Sequence, residues 1–459
     1  MRNASWLLVL LLMLVAQAAF GEAVFTFVAP TAGATVSGVV PVNVTLKPTP
    51  GENLTSPVVQ TIDGQRVPLF PDGENSFVGM VDTTKLPNGH QTLLVFATPK
   101  VRDARREKYD DASWGWDRMV RQGEVPIVVR NPYRFCWGDL HAHTSYSDGG
   151  WYPEEAYRYA RDEAKLDFFA VTDHDWITTM DEYADVIAQA NSFDEPGRFV
   201  ALWGVERTNG DTGHICFYMT PTHQMPNGLD DFYRAVAANG ILGHFNHPWK
   251  NKADQSWRND FQEFRYAPEA DRSMALVEVR DPGEEECYIA MLNNGWHVGA
   301  AGDKDAHDAT WGQGPTWTVA LAKTLTREGI LEALWARRTY SAADRNMRLE
   351  FTLDGEDMGA QVSRPVGSYD FALSVQDPEV SADAGSKDQI ERVDLFLDGR
   401  IVKSVEAPKG SSVGTWSGTL EFPAGKHYCF VRVTQAEKKT SWSSPIWLTA
   451  YQTAPKATK

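Results

Sequence analysis

The sequence predicts an α/β protein in which a barrel-like central domain lies between two all-β domains. Strand and helix patterns alternate from about residue 132 to 345, whereas residues 24–131 and 348–452 show hairpin turns and alternating apolar residues. Repeated βα units favour a parallel sheet, and a long series of them favours a closed or nearly closed barrel. The two flanking segments are each about 100 residues long, which is typical of Ig-like β-sandwich domains.

The chain begins with the pattern of a secretory signal peptide over residues 1–21. A basic start at Arg2 precedes an apolar run from Trp6 to Val15, and small residues follow up to Gly21. Ten or so apolar residues are too few to span a bilayer. We therefore expect an exported protein, periplasmic or extracellular, without a membrane span.

Composition excludes one class of partner. The formal net charge is −17 at pH 7, and no block of lysines or arginines stands out. Tight non-specific binding to nucleic acid is therefore not expected. The four cysteines are too scattered for a disulfide framework and are interpreted as small core residues. The β domains could contact carbohydrate or another surface.

Histidines and carboxylates lie at the ends of the predicted strands of the central segment, where His214 begins its strand and most of the others follow or end theirs. The strand candidates are Phe135–Trp137, Phe168–Val171, Val200–Val205, Ile215–Tyr218, Ile241–Gly243, Ala275–Val279, Val298–Ala301 and Trp317–Leu321. The side chains at their ends are His141, His143, Asp148, His174, Glu206, His214, His247, Asp305 and His307. Because the chemistry of such barrels lies at the carboxyl ends of the strands, we expect these side chains to meet at one mouth.

Such a mixture of side chains predicts bound metal. Carboxylates and imidazoles crowded together without cations would lose solvation and repel one another, and divalent cations remove that cost. Imidazole with carboxylate suits zinc, manganese or iron. Some roles stay open from the residues alone. His244 could replace His214 as a ligand, and Lys304 could hold a substrate anion or pair with Asp303. Asp173 or Asp175 could orient an imidazole or lie in a solvated turn.

The ordered motifs DLHAHTSYSDG, VTDHD, GVE, GHICFY, NHP and DKDAH resemble the polymerase and histidinol phosphatase (PHP) family over about residues 135–345. The resemblance implies a distorted (β/α)7 barrel that holds two or three divalent metal ions. It implies a first metal bound by His141, His143, Glu206 and Asp305. It implies a second metal that shares Glu206 and is also bound by His214 and His247, and a third set formed by Asp148, His174 and His307.

The resemblance also implies an activity. Two metals bridged by Glu206 would generate a bridging hydroxide that attacks phosphorus or a carbonyl carbon, with Glu206, Asp305 and His307 as catalytic residues. We therefore predict an exported metal-dependent hydrolase of a small-molecule ester, with phosphoesters favoured. The stretches EALWARRTYSA and SWSSPIW resemble an exported branch that includes carbaryl-hydrolase-like enzymes, so carboxyl-ester or carbamate hydrolysis is the alternative. A non-catalytic metal- or carbohydrate-binding protein is the second alternative.

Overall fold

The computed structural model describes residues 24–47, 53–61, 66–83, 86, 89–100, 120–210, 212–249, 259–377, 389–408, 411 and 413–452. The predicted signal peptide at residues 1–21 lies outside these residues. The chain divides into two compact units, Met1–Pro132 and Tyr133–Lys459. It is an α/β protein in which strands predominate and form several sheets.

The first unit is built from two sheets. Its strands are β1 Val24–Ala29, β2 Ala34–Val36, β3 Val39–Lys47, β4 Asn53–Gln60, β5 Arg66–Pro68, β6 Phe70–Pro71, β7 Ser76–Asp82, β8 Gly89–Lys100 and β9 Val120–Val129. One sheet has the order β1-β3-β7-β6 and the other β2-β9-β8-β4-β5. Burial alternates along β3, where Val42 and Val44 are buried and Asn43 is only partly so. This period of two places every second side chain in the core.

The central segment of the second unit alternates strands and helices. Its strands are β10 Arg134–Asp139, β11 Phe168–Val171, β12 Val200–Arg207, β13 Ile215–Tyr218, β14 Leu242–Phe245, β15 Met274–Glu278, β16 Gly299–Ala301, β17 Trp317–Ala322 and β18 Thr339–Ala342. Its helices are α1 Pro153–Asp162, α2 Met180–Phe193, α3 Leu229–Asn239, α4 Phe261–Phe264, α5 Pro282–Asn294 and α6 Arg327–Trp335. Every predicted strand of this segment overlaps an observed one.

The sheet of this segment is mixed, so the expectation of a parallel sheet is only partly correct. Strands β10, β11 and β12 are parallel, as are β14, β15 and β16. Strand β13 is antiparallel to both of its neighbours, and β17 is antiparallel to β10 and β18. The connection 208–214 explains the first reversal, because a parallel crossover needs about a dozen residues or more.

This sheet is so strongly curved that the strands at its two ends, β16 and β18, contact each other. The order of strands is β16-β15-β14-β13-β12-β11-β10-β17-β18. Thr339 Oγ1 of β18 donates to the carbonyl of Ala300 in β16 at 2.9 Å, and the Ala300 amide donates to Ser444 Oγ at 3.0 Å. The carboxyl ends of the parallel strands therefore face a common space.

The C-terminal strands continue this sheet and add another. They are β19 Arg348–Leu353, β20 Glu356–Asp357, β21 Gln361–Pro365, β22 Gly367–Gln376, β23 Ile390–Leu397, β24 Arg400–Glu406, β25 Val413–Phe422, β26 Gly425–Gln435, β27 Thr440–Ser443 and β28 Ile446–Tyr451. Strand β18 pairs with β27, and β20-β19-β22-β25 form a separate sheet. Phe135, Val319, Phe351 and Val431 share one core between them. A separable C-terminal sandwich stays a prediction.

Two smaller expectations concern cysteines and membranes. Cys136, Cys216, Cys287 and Cys429 are all buried and free, as expected for core residues. Within the described ranges, the helices lack the length and apolar character that crossing a bilayer requires.

Candidate metal centre

Two loops are joined so that four site residues face the same way. The loop after β10 and the loop after β16 form a parallel bridge between Ala142 and Ala306. The amide of His143 donates to the carbonyl of Ala306 at 2.9 Å, and the Asp305 amide donates to the carbonyl of His141 at 3.0 Å. Because alternate residues of an extended segment point to opposite sides, both alanines enter the core. The flanking His141, His143, Asp305 and His307 lie on the other side.

A second bridge positions the central carboxylate. His174, after β11, and Glu206, in β12, form a parallel bridge, and the Asp175 amide donates to the carbonyl of Glu206 at 3.0 Å. The Glu206 amide in turn donates to the carbonyl of Thr172 at 3.2 Å. The carboxylate of Glu206 is almost completely buried. It therefore lies between the loops that carry the histidines.

The first group surrounds the Nε2 atom of His141. That atom lies 3.2 Å from Nε2 of His143, 3.1 Å from Oε1 of Glu206 and 3.3 Å from Oδ1 of Asp305. Nε2 of His143 lies 3.1 Å from the same Asp305 oxygen and 3.5 Å from Oε2 of Glu206. The residues that the resemblance assigns to one metal are thus neighbours.

The second group shares Glu206 with the first, and the third lies beside His143 of the first, whose Nδ1 is 3.9 Å from Oδ1 of Asp148. Oε1 of Glu206 lies 3.3 Å from Nδ1 of His214 and 3.3 Å from Nε2 of His247. Asp148 Oδ1 lies 3.4 Å from His174 Nε2 and 3.1 Å from His307 Nε2. We call the nine side chains together the histidine–carboxylate cluster: His141, His143, Asp148, His174, Glu206, His214, His247, Asp305 and His307.

The distances in the cluster suit metal coordination. Two ligands held at about 2.0–2.1 Å by a tetrahedral ion lie about 3.3 Å apart. The nitrogen–oxygen and nitrogen–nitrogen distances above, 3.1–3.5 Å, are close to that separation. Oδ1 of Asp305 is buried and has no well-aligned hydrogen bond within the described chain. These buried histidine, glutamate and aspartate groups could hold metal ions.

Burial and charge act in opposite directions on the pKa values. Burial disfavours ionised Glu206, yet the imidazoles of His141, His174 and His214 hold the pKa of this carboxyl well below its usual value. Burial lowers the pKa of His143. For His141 burial has the same effect, but Asp305 and Glu206 raise the pKa of His141 well above its usual value. Metal ligands must give up their protons, so metal affinity should fall in acid.

The partner of Lys304 differs from the one expected from the sequence. Lys304 does not pair with Asp303, so that interpretation is wrong: its ammonium donates to Oδ1 of Asp308 at 2.6 Å and to the carbonyl of Thr310 at 3.0 Å. Asp303 instead accepts from the Leu140 amide at 2.6 Å.

His244 contacts Tyr218 and Asp303, whereas His214 contacts Glu206. The Nδ1 atom of His244 is 2.9 Å from the hydroxyl of Tyr218, and its Nε2 is 3.8 Å from Asp303. Asp173 accepts from the amide of Thr144 at 2.7 Å and from Ser147 Oγ at 2.6 Å. It therefore holds the loop that carries His143.

Two residues beside the cluster were not identified from the sequence. Asn246 donates from Nδ2 to Oε1 of Glu206 at 2.7 Å. Glu278 is completely buried and contacts His141. Glu278 carries the same signal as Glu206, a carboxylate at the end of a buried strand, which could have identified it. Asn246 lies in the NHP motif, but an amide there gives no distinct pattern.

The cluster opens into a cavity of about 680 Å³. Asp148, His174, His214, His247 and His307 reach this cavity, together with Glu206 and Asp305. Trp249, Arg280 and Glu284 also line it. The ring of Trp176, which is 69% exposed, lies 6.5 Å from the ring of His174. A small molecule can therefore reach one side of the cluster, while His141 and His143 stay buried.

Comparison with known proteins gives distant relatives. No family model matches this chain. It is similar to an uncharacterized protein of Chlamydia pneumoniae, with 24% identity over 363 residues, covering 68% of this chain and 57% of that protein. An uncharacterized protein of Chlamydia trachomatis serovar D is 21% identical over 374 residues, covering 71% of this chain and 59% of that protein. The chain thus spans less than two thirds of the length of these relatives.

Solved structures are similar only at a low level. An endo-β-1,4-mannanase from Thermotoga petrophila has a TM-score of 0.19 and 14% identity, over 25% of this chain and 21% of that chain. A β-glucuronidase from Parabacteroides merdae also has a TM-score of 0.19, with 8% identity over 96% of this chain and 65% of that chain. Such scores carry no argument about fold or function.

Proposed function

We propose that this chain is an exported metal-dependent hydrolase of the PHP type that acts on ester bonds, with phosphoesters as its first candidate substrates. The observation that carries the proposal is the convergence of nine side chains, singled out by motif order, into interlocking groups around Glu206. In this proposal the curled sheet of β10–β18 is the distorted (β/α)7 barrel. The ligand sets are those that the resemblance implies.

The chain's own residues would prepare the reaction. When bound, two or three divalent metals would activate water and stabilise negative charge that develops on the substrate. Glu206 belongs to more than one of the ligand groups. His141 and His143 are buried, so they lie on the side of the cluster that solvent does not reach. Asp148 and His307 have side chains that are 50% and 39% exposed, so the substrate enters on their side. His307 lines the cavity beside Asp148, and in this proposal it serves as a ligand on the side where the substrate enters.

A neutral ester or carbamate is the second candidate substrate. Lys304 was the cation best placed in the sequence to hold a phosphate, but Asp308 and Thr310 engage its ammonium. The exposed indole of Trp176 beside His174 offers a flat apolar surface instead. Such a surface favours an aromatic or apolar substituent next to the bond that is cleaved.

One experiment tests the proposal and separates the substrates. The purified protein is loaded in turn with zinc, manganese and iron, analysed for metal, and assayed on phosphomonoesters, phosphodiesters, carboxyl esters and aryl carbamates. We expect two to three metal equivalents and turnover of a phosphoester. Less than one equivalent would contradict the metal site. Turnover of carboxyl esters or carbamates alone would favour the second candidate, and metal without turnover would indicate a binding protein.

A further inference from the structure

We propose that Glu278 is a positioning residue that fixes two of the proposed ligands, His141 through its side chain and His247 through its backbone. This inference rests on the proposed function, because it concerns the same metal centre. Glu278 ends β15 and has 0% exposure. The sheet therefore holds it behind the cluster, where neither substrate nor solvent reaches it.

Both oxygens of the Glu278 carboxylate accept from different partners. Oε1 lies 2.7 Å from Nδ1 of His141, and Oε2 accepts from the backbone amide of His247 at 2.5 Å. The guanidinium of Arg280 lies 3.4 Å from Oε2 and is held by Glu284 on α5. Arg280 therefore lies beside the Glu278 carboxylate and favours its ionised form. An ionised carboxylate accepts hydrogen bonds and cannot donate one.

The contact with His141 selects the tautomer of its neutral imidazole, the form that binds metal. Ionised Glu278 can only accept, so Nδ1 of His141 must carry the hydrogen. Nε2 of the neutral ring then keeps its lone pair, and this is the atom that faces His143, Glu206 and Asp305. A carboxylate behind a metal-binding histidine fixes both the tautomer and the ring orientation.

The contact with His247 holds an unusual backbone. The backbone of His247 has a φ of +26°, a positive value that residues other than glycine seldom adopt. Its amide is directed onto Oε2 of Glu278, and its imidazole reaches Glu206. One carboxylate therefore joins the strand-end loop after β14 to the histidine that follows β10.

Glu278→Gln tests this arrangement, because glutamine keeps the shape but offers one acceptor and one donor. If its oxygen faces His141, its amide group opposes the His247 amide. If it turns over, Nδ1 of His141 must accept, and the hydrogen moves to Nε2 and blocks coordination. We expect the Zn²⁺ dissociation constant, measured by competition with a chelating dye, to rise roughly 10–100-fold.

Asp394→Asn is the matched control, since Asp394 is an equally buried carboxylate in the C-terminal strands and pairs with Arg432. It should lower the unfolding temperature of the metal-free protein and leave the Zn²⁺ dissociation constant within twofold of wild type. A Glu278→Gln protein that binds Zn²⁺ as tightly as wild type would overturn the inference. Wild type that binds no Zn²⁺ would overturn the proposed function itself.

A measurement on the unsubstituted chain decides the matter if Glu278→Gln does not fold. Nitrogen-15 labelled histidine gives distinct imidazole signals for the two tautomers, and His141→Gln assigns the relevant one by its loss. We expect the hydrogen of His141 on Nδ1 in the Zn²⁺-loaded protein. A hydrogen on Nε2 would overturn the role of Glu278.

Discussion

Two charge clusters in the second unit, each built around buried carboxylates, differ in the groups that face those carboxylates. Arg432 of strand β26 donates to Glu285 of helix α5 at 2.8 Å and to Asp394 of strand β23 at 2.7 Å. Arg392 also pairs with Asp394, and Trp442 donates to Glu285. We call these five residues the Arg432 network. Its acidic groups meet permanent cations supplied by the chain.

The histidine–carboxylate cluster has a different composition. It places Asp148, Glu206 and Asp305 among six imidazoles, whose charge depends on protonation. Buried ion pairs repay their desolvation only with good geometry and complete hydrogen bonding. The Arg432 network meets that condition by itself, whereas the cluster could meet it with bound metal ions. Buried carboxylates that pair with arginine therefore need no metal, whereas carboxylates surrounded by imidazoles are candidates for one.

Metal removal should show the largest difference between the two clusters. A ligand that binds only the folded state stabilises it by about 2.7 kcal/mol at 100 times its dissociation constant, so two ions would contribute about 5 kcal/mol. We expect urea unfolding to show a loss of this size after chelation, restored by added Zn²⁺. Asp394→Asn should lose the same increment on chelation. An unfolding curve that ignores the chelator would contradict the comparison.

The same substitution in each cluster should then have different consequences. Glu206→Gln removes the charge shared by the proposed ligand sets, so we expect hydrolysis to fall by roughly 10²–10³-fold, or about 3–4 kcal/mol. Elemental analysis should show at least one metal equivalent lost. Glu285→Gln should leave both quantities unchanged. Near-normal turnover in Glu206→Gln would remove Glu206 from the mechanism.

The free energy of unfolding, in contrast to hydrolysis and metal content, should be lowered by the substitution in the Arg432 network. Glu285→Gln leaves Arg432 with one carboxylate less, and Arg432 is only 21% exposed. Because a hydrogen bond to a charged group contributes about 1.5–3 kcal/mol, and partial exposure reduces this, we expect a loss of about 1–2 kcal/mol. Urea unfolding of the metal-free protein measures it. If Glu285→Gln lowers the free energy of unfolding equally with and without metal, the network is purely structural. A loss seen only with metal would contradict that role.

The sequence predicted the cluster better than the sheet around it. Strands such as Phe168–Val171 and Ile215–Tyr218 were located by local apolar runs, and the rule about strand ends then placed His174, which follows its strand, at the mouth. His214 begins its strand, and it lies near His174 because β13 is antiparallel to its neighbours. Strand direction is not encoded so locally. The reversal at β13 follows from a short connection, and the pairing of β18 with β27 joins residues about 100 positions apart.

Side-chain partners were the hardest to predict. Asp303 is adjacent to Lys304 in the chain, but it points into the core toward the Leu140 amide. Lys304 instead pairs with Asp308, four residues further along the chain. Neighbours in an extended segment point to opposite sides, so adjacency alone argues against such a pair. Glu278 ends a buried strand as Glu206 does, but its partners His141 and His247 come from distant loops, so its contacts could not be predicted from the sequence.

The smallest expected effect concerns Lys304 itself. From the sequence, Lys304→Met should weaken phosphoester hydrolysis several-fold. With its ammonium bound to Asp308 and Thr310, we now expect phosphoester KM and kcat to stay within about twofold of wild type, and stability to change by about 0–1 kcal/mol, as for other exposed pairs. Steady-state kinetics on the best phosphoester measure this, with Lys323→Met, a lysine paired with Glu332, as the control. A several-fold rise in KM for Lys304→Met alone would mean that substrate draws the ammonium away from Asp308, and Lys304 would then belong to the binding site.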